Sequence, residues 1–333
     1  MQAVLYTGTG ATQTISGLNF QPDFVWIKSR SAATDHKLTD SVRGVTKALI
    51  SDSTAAESTD TNGVTAFTSN GFTIGSDSVY NANGATYVAW CWKANGAAVT
   101  NTAGSITSSV SANTTSGFSV VTYTGTNNAG TLGHGLNATP SMIIVKARGD
   151  TQNWAVYHVS TGNTGGCVLN LTVANNTTNS GWWNNTSPTS SVFNVGGSTG
   201  SDWYTTNKPS IGYVAYCFAA IPGYSAFGSY TGNGSTDGPF VYFGFRPRFI
   251  LIKDSSNVDN WQIFDTSRVP YNASGHWLWP DRSVAEADYS STYPFDMLSN
   301  GLKLRNASYP NTSGHTYIYA AFAENPFQNA LAR

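Results

Sequence analysis

The chain has 333 residues, a net charge of −1 and only 11% charged residues, against roughly a quarter in ordinary soluble proteins. Near-neutrality without clustered Lys or Arg excludes an electrostatic grip on nucleic acid or an anionic membrane, and no apolar run of about 18 residues is present to span a bilayer. With 10 Trp, 17 Tyr and 16 Phe the chain is too rich in aromatics to be disordered, so it is expected to fold, with Ser, Thr, Asn and Gly facing water.

In chain order, Met1–Tyr6 lacks a basic segment followed by an apolar run, so no cleavable signal peptide is expected. Tyr6-Thr7-Gly8 is the first of three Tyr-Thr-Gly triplets, the others beginning at Tyr123 and Tyr230. Each is followed at nearly the same distance by a proline that opens an apolar run ending in lysine: Pro22 to Lys28, Pro140 to Lys146 and Pro247 to Lys253. The same step beyond each lysine leads to Asp40, His158 and Asp265, and three residues on to Arg43, Thr161 and Arg268. Each copy closes on an aromatic-rich run, Tyr87–Ala94, Tyr213–Ala220 and Tyr317–Ala323.

Four landmarks in one order mark an internal repeat too long for a solenoid unit and of the size of a β-sandwich. The runs are short, β-branched or aromatic, and punctuated by Gly, Asn and Thr, and no helical stripe is sustained. The expected fold is all-β: three tandem antiparallel, jelly-roll-like sandwiches with little helix, spanning residues 1–98, 117–222 and 223–333, with 99–116 as a polar linker. The runs 24–27 and 88–92 are apolar on both faces and are placed centrally, covered on each side. Residues 71–75 and 301–304 read as another equivalent strand. The long first connector and the short second junction, Ile221–Ser225, predict that copies two and three are held closer together and that the first is more independent.

The strand-ending lysines read as scaffold, their stems on the core and their ammonium groups in water. Asp40/Arg43 and Asp265/Arg268, at i, i+3, read as local structural clamps in a turn; His158 and Thr161 replace the pair in the second copy. Glu57 and Glu286 occupy equivalent regions, and the only other Glu is Glu324, so a carboxylate pair for glycoside hydrolysis could come only from Asp, and no candidate stands outside the clamps. Nucleophile-elbow and dinucleotide signatures are absent, and the five His show no metal-ligand spacing. No catalytic residues, metal or cofactor are expected, and the chain reads as a non-enzyme. Cys91, Cys217 and Ala321 share one position, which argues for a small buried group; Cys167 has no counterpart. Trp182, Trp183 and Asn184 in the second copy and Trp277 and Trp279 in the third lie in Asn/Ser/Gly-rich stretches. They offer either an exposed indole platform for a sugar or plugs for the sandwich ends and interfaces.

The segments Tyr6–Gly10, Gly17–Arg30, Thr39–Gly44, Tyr87–Ala94 and Ala321–Phe327 resemble a repeated domain of unknown function in virion proteins of tailed bacteriophages, many from marine and cyanobacterial hosts. The resemblance covers essentially the whole chain. It implies a structural particle component, usually of tail-fibre type, with other virion proteins as partners, and says nothing firm about ligand; the lack of a signal peptide fits assembly in the bacterial cytoplasm, and the Trp/Asn-rich stretches suggest an adhesin that binds a host surface glycan. The alternative is a capsid decoration or cement subunit, favoured by the lack of a coiled-coil stalk. Virion parts occupy symmetric positions, so a homo-oligomer is expected, with a trimer as the working order.

Overall fold

A computed structural model describes residues 1–177, 181–197 and 204–325; Pro326 and Phe327 of the closing motif lie outside the described residues. The protein is all-β with antiparallel sheets, as expected from the sequence. Among the described residues the only helices are two single turns, Ser78–Asn81 and Tyr204–Asn207, and no helix is long and apolar enough to cross a membrane.

The sequence landmarks map onto one recurring four-stranded unit. The Tyr-Thr-Gly strand (Gln2–Thr7, Phe118–Thr124, Ser225–Thr231) pairs with the closing strand (Thr86–Trp92, Gly212–Ala219, Thr316–Ala323). The closing strand pairs on its other edge with the lysine strand (Phe24–Ser29, Pro140–Ala147, Pro247–Asp254). The lysine strand then pairs with a short strand ending in Asp40, His158 or Asp265. The aromatic-rich runs are thus central strands, as their two-faced apolar pattern requires. Residues 99–116, expected as a linker, instead contribute the strands Val99–Asn101 and Ser108–Asn113 to the edge of the second main sheet. Ser109 is exposed while Ser108, Val110 and Ser111 are buried, so small polar residues fill core positions and the strand's hydrophobic alternation is masked in sequence.

Each copy places a smaller sheet over one face of its main sheet. The segments Gln13–Ser16, Gly71–Ile74 and Val64–Thr68 do so in the first copy, Gly130–Gly133 with Val192–Val195 in the second, and Phe240–Tyr242, Gly301–Leu304 and Phe295–Leu298 in the third. Alternate residues of the central strands, such as Tyr87, Ala89 and Cys91, enter these three separate cores. The intervening residues of all three copies, including Trp90, Trp92, Phe218 and Phe322, meet in a fourth, shared cluster. Trp92 alone packs within 6.5 Å of Phe118, Phe218, Phe249 and Phe322, and so touches both other copies.

The Tyr-Thr-Gly triplet has a packing reason. Tyr6, Tyr123 and Tyr230 stack on Tyr87, Tyr213 and Tyr317 at 5.0, 5.1 and 5.1 Å. A Cβ on Gly8, Gly125 or Gly232 would lie 2.2, 2.1 and 2.2 Å from the carbonyl oxygen of Ala82, Lys208 and Thr312, so only glycine fits. Immediately before each of those residues stands a buried asparagine, Asn81, Asn207 or Asn311. Its Nδ2 donates to loop carbonyls and its Oδ1 accepts from the backbone of Thr9, Thr126 or Asn233. The fixed Asn-to-Tyr spacing of 81/87, 207/213 and 311/317 is a further repeat landmark legible in the sequence.

Candidate functional site

The Asp/Arg pairs are clamps, and they also reach beyond their own copy. Asp40 accepts from the backbone N–H of Arg43 at 2.8 Å and from its Nε at 2.5 Å, and its Oδ2 also receives the hydroxyl of Tyr216, from the second copy, at 2.8 Å. Asp265 is held the same way by Arg268, and its Oδ2 receives the indole N–H of Trp90, from the first copy, at 2.9 Å. Trp90, Tyr216 and Ala320 are equivalent positions on the closing strands. The third copy therefore has no side chain to offer, and the second has no carboxylate to receive one. His158 completes the set by turning its Nε2 to the backbone carbonyl of Tyr319 at 3.0 Å, while its Nδ1 accepts from Ser160 N–H. These two bonds require the Nε2-protonated neutral ring, and burial pushes the imidazole down to about 4. The contacts run cyclically: first copy to second, second to third, third to first.

A belt of charges follows the same circuit. Glu57 takes Arg43 from its own copy and Arg148 from the second, each at 2.9 Å. Glu286 takes Arg268 of its own copy at 2.7 Å and Arg30 of the first at 2.8 Å. Burial raises the Glu286 carboxyl, but the opposing guanidinium and His276 bonds dominate and hold it at about 2. The lysine ammonium groups, expected in water, are instead buried against backbone carbonyls. Lys28 reaches Ser283, Lys146 reaches Thr54 and Lys253 reaches Thr172, each on another copy. The neighbouring copy's loop covers the strand end, and its carbonyls replace the solvent an ammonium otherwise keeps. The first copy consequently contacts the third as intimately as the second, contrary to its expected independence.

The indoles of Trp182 and Trp183 are 3% and 2% exposed and pack in the second copy's core. Trp182 lies against Gly166, where a Cβ would come within 2.8 Å of its ring, and Trp183 meets Tyr157 edge-on at 5.8 Å. Of the two alternatives weighed for them the plug is the one formed, because the indoles supply the volume that closes this sandwich end, and the exposed platform is not; of the three residues only Asn184 faces solvent.

Trp277 and Trp279 are also largely buried, at 5% and 6%, but they line a cleft of about 250 Å³. Trp277 follows His276 in a two-residue strand paired with Ala287 and Asp288, which brings the Tyr289–Tyr293 turn over it. Trp277 stands 5.2 Å from Tyr289, 5.3 Å from Tyr293, 6.0 Å from Trp279 and 6.2 Å from Tyr309. Asp259, Asn260, Gln262, Arg282 and Ser308 complete the wall. The Arg282 guanidinium lies 5.4 Å from the Trp279 ring centre, and burial raises the Asp259 carboxyl. Two buried polar atoms on this wall, the indole N–H of Trp277 and Oε1 of Gln262, have no hydrogen-bond partner. Unmet buried groups of this kind cost about 1–3 kcal/mol each. Sequence reasoning singled out the two Trp but missed the tyrosines and Gln262, which the hairpin and the adjacent strand assemble from distant positions.

Among the described residues no group of three or more His, Cys, Asp and Glu is arranged to hold a metal ion. Cys91, Cys167 and Cys217 are free and buried. Burial pushes the Cys167 thiol up to about 12, and the residue sits in the shared cluster.

Residues 1–326 match the model of a family described as a domain of unknown function, DUF7483. The chain belongs to the DUF7483 family. One match spans all three copies, so the family unit encompasses the whole cyclic set of contacts in this DUF7483 chain. No curated protein and no solved structure matches it.

Proposed function

We propose that this DUF7483 protein is a binding component of a bacteriophage particle, of tail-fibre or adhesin type, that holds a host surface glycan in the cleft of its third copy. The observation that carries the reading is the cleft itself: the aromatic side chains of Trp277, Trp279, Tyr289, Tyr293 and Tyr309 beside the polar Asn260, Ser308 and Arg282. Aromatic walls take the apolar face of a sugar, and a few fixed polar groups set its orientation. A cleft of about 250 Å³ is below the usual range for a drug-sized ligand and suits one sugar ring. The low charge makes such contacts insensitive to salt. Glycan-array binding that is abolished by Trp279→Ala in a folded protein supports the reading, and an array without signal for the wild type rejects it. Imaging of the chain in an intact particle tests the particle assignment separately.

A second reading, a capsid decoration subunit, draws on Phe240 and Tyr242. These are 44% and 61% exposed on an edge strand with ring centres 6.4 Å apart. Exposed aromatic pairs on an edge suit burial against a neighbouring protein.

A further inference from the structure

We propose that the cleft of the third copy takes a hexuronic acid residue, a sugar that carries a carboxylate, and that Arg282 is the group that reads its charge; this rests on the glycan reading above. Charges are scarce in this chain, and its arginines are almost all spent on carboxylates. Of the eight arginines among the described residues, seven make an ion pair, Arg30 and Arg268 on Glu286 and Arg43 and Arg148 on Glu57 among them. Arg282 is the eighth; it has no carboxylate at ion-pair distance, and it is the one that lines this cleft beside its aromatic wall. It is exposed, and its guanidinium lies 5.4 Å from the centre of the Trp279 ring. A cation–π contact of this kind holds the guanidinium in place and leaves its N–H donors free for a ligand.

Two carboxyls stand near and must be weighed against an anionic ligand. Asp259 lines the cleft half-buried and accepts from the Asn260 backbone N–H at 2.8 Å, and burial raises it. Asp281 accepts from Nδ2 of Asn260 at 2.7 Å, and burial pushes it up to about 6. Burial disfavours the charge of both, whereas Arg282 presents its charge exposed. The planar fork of a guanidinium matches a carboxylate with two parallel hydrogen bonds, which the primary alcohol of a neutral hexose cannot accept. Tyr289, Tyr293 and Tyr309 are half-buried and line the same cleft, so their rings are available to the apolar face of the sugar, with Asn260 and Ser308 for its hydroxyls. A volume of about 250 Å³ suits a single six-carbon ring, which favours a hexuronic acid over a larger nine-carbon acidic sugar.

The probes are the methyl glycosides of glucuronic and galacturonic acid beside those of glucose and galactose, with the uronic acid methyl esters as neutral controls of nearly the same shape, followed by calorimetry and ligand-observed NMR on the whole chain. At least one uronide should bind about 10-fold more tightly than its parent hexoside and its own ester, the gain expected from hydrogen bonds between charged groups. Arg282→Gln should bring that ratio toward one and leave hexoside binding unchanged; because Arg282 holds no ion pair, the variant should keep the wild-type melting transition. Equal or tighter binding of the hexosides or the esters overturns the proposal and leaves the glycan reading standing. A uronide preference that survives in Arg282→Gln overturns it as well. Absence of binding by every probe at millimolar concentration also overturns it, and the glycan array then decides whether the broader reading falls with it.

Discussion

Acidification should loosen the contact between the second and third copies through a single imidazole. His158 is buried, donates from Nε2 to Tyr319 and accepts at Nδ1 from Ser160 N–H, so it has no room for a second proton. Burial holds its folded value at about 4, below the ordinary imidazole value of about 6.5. Between those values the unfolded chain takes up a proton that the folded chain refuses, so stability is intact above about 6.5 and falls as the pH drops toward 4. The full gap corresponds to about 3 kcal/mol, of which about 2 kcal/mol is lost by about pH 5. His158→Gln keeps an N–H donor for the Tyr319 carbonyl and removes the titration. Urea unfolding of both proteins, followed by Trp fluorescence at about pH 7.5 and about pH 5, should show the wild type losing about 2 kcal/mol more than the variant. His36 and His134, which burial also pushes down, act in both proteins and cancel in the difference. Glu286 titrates below this window, because its folded value is about 2. Parallel losses in the two proteins would refute the assignment of His158 as a buried neutral ring.

Tyr216→Phe removes only the hydroxyl that donates to Asp40 and accepts from Arg43; it should cost about 1.5–3 kcal/mol in denaturant unfolding, the range for bonds to charged groups. Glu286→Gln strips the shared partner from Arg30 and Arg268 and should cost about 3–5 kcal/mol, with a correspondingly weaker loss of stability between about pH 4.5 and 2 than the wild type shows. Gly125→Ala should be strongly destabilising, because its Cβ would sit 2.1 Å from the Lys208 carbonyl oxygen; Gly212→Ala, with nothing within 4 Å, serves as the neutral control. Ala320→Tyr should be tolerated better in a His158→Asp/Thr161→Arg background than in the wild type, with a coupling of about 1 kcal/mol or more in a double-mutant cycle; no coupling would contradict the cyclic pairing.

The all-β class and the equivalence of the three copies could be read from residue types and spacings, because strand alternation and turn residues are local properties. The roles of the clamps could be read only halfway. Asp40 and Arg43 are three residues apart, so their mutual bond is written in the sequence, but the hydroxyl that arrives from Tyr216 crosses 176 positions. Trp182 and Trp277 sit in similarly polar stretches, yet one plugs a core and the other walls a cleft. The difference is made by the hairpin that carries Tyr289 and Tyr293, a tertiary placement that composition does not encode. The strand-ending lysines misled for a related reason: a stem on the core with its head in water is the common arrangement, and only the neighbouring copy's carbonyls reverse it.

The clamp circuit also bears on how such a chain can change over time. Duplicated units joined like beads drift separately, each answering only to its own core. Here a side chain lost from the third copy, at Ala320, is matched by a carboxylate missing from the second, at His158, while the third copy's own clamp still answers to Trp90 of the first. Each copy is therefore half of two locks, and an exchange of one copy for a duplicate of another would leave a buried Asp/Arg pair without its visitor, or a Tyr hydroxyl facing an imidazole. What can be inherited, or transplanted in the laboratory, is a matched pair of surfaces.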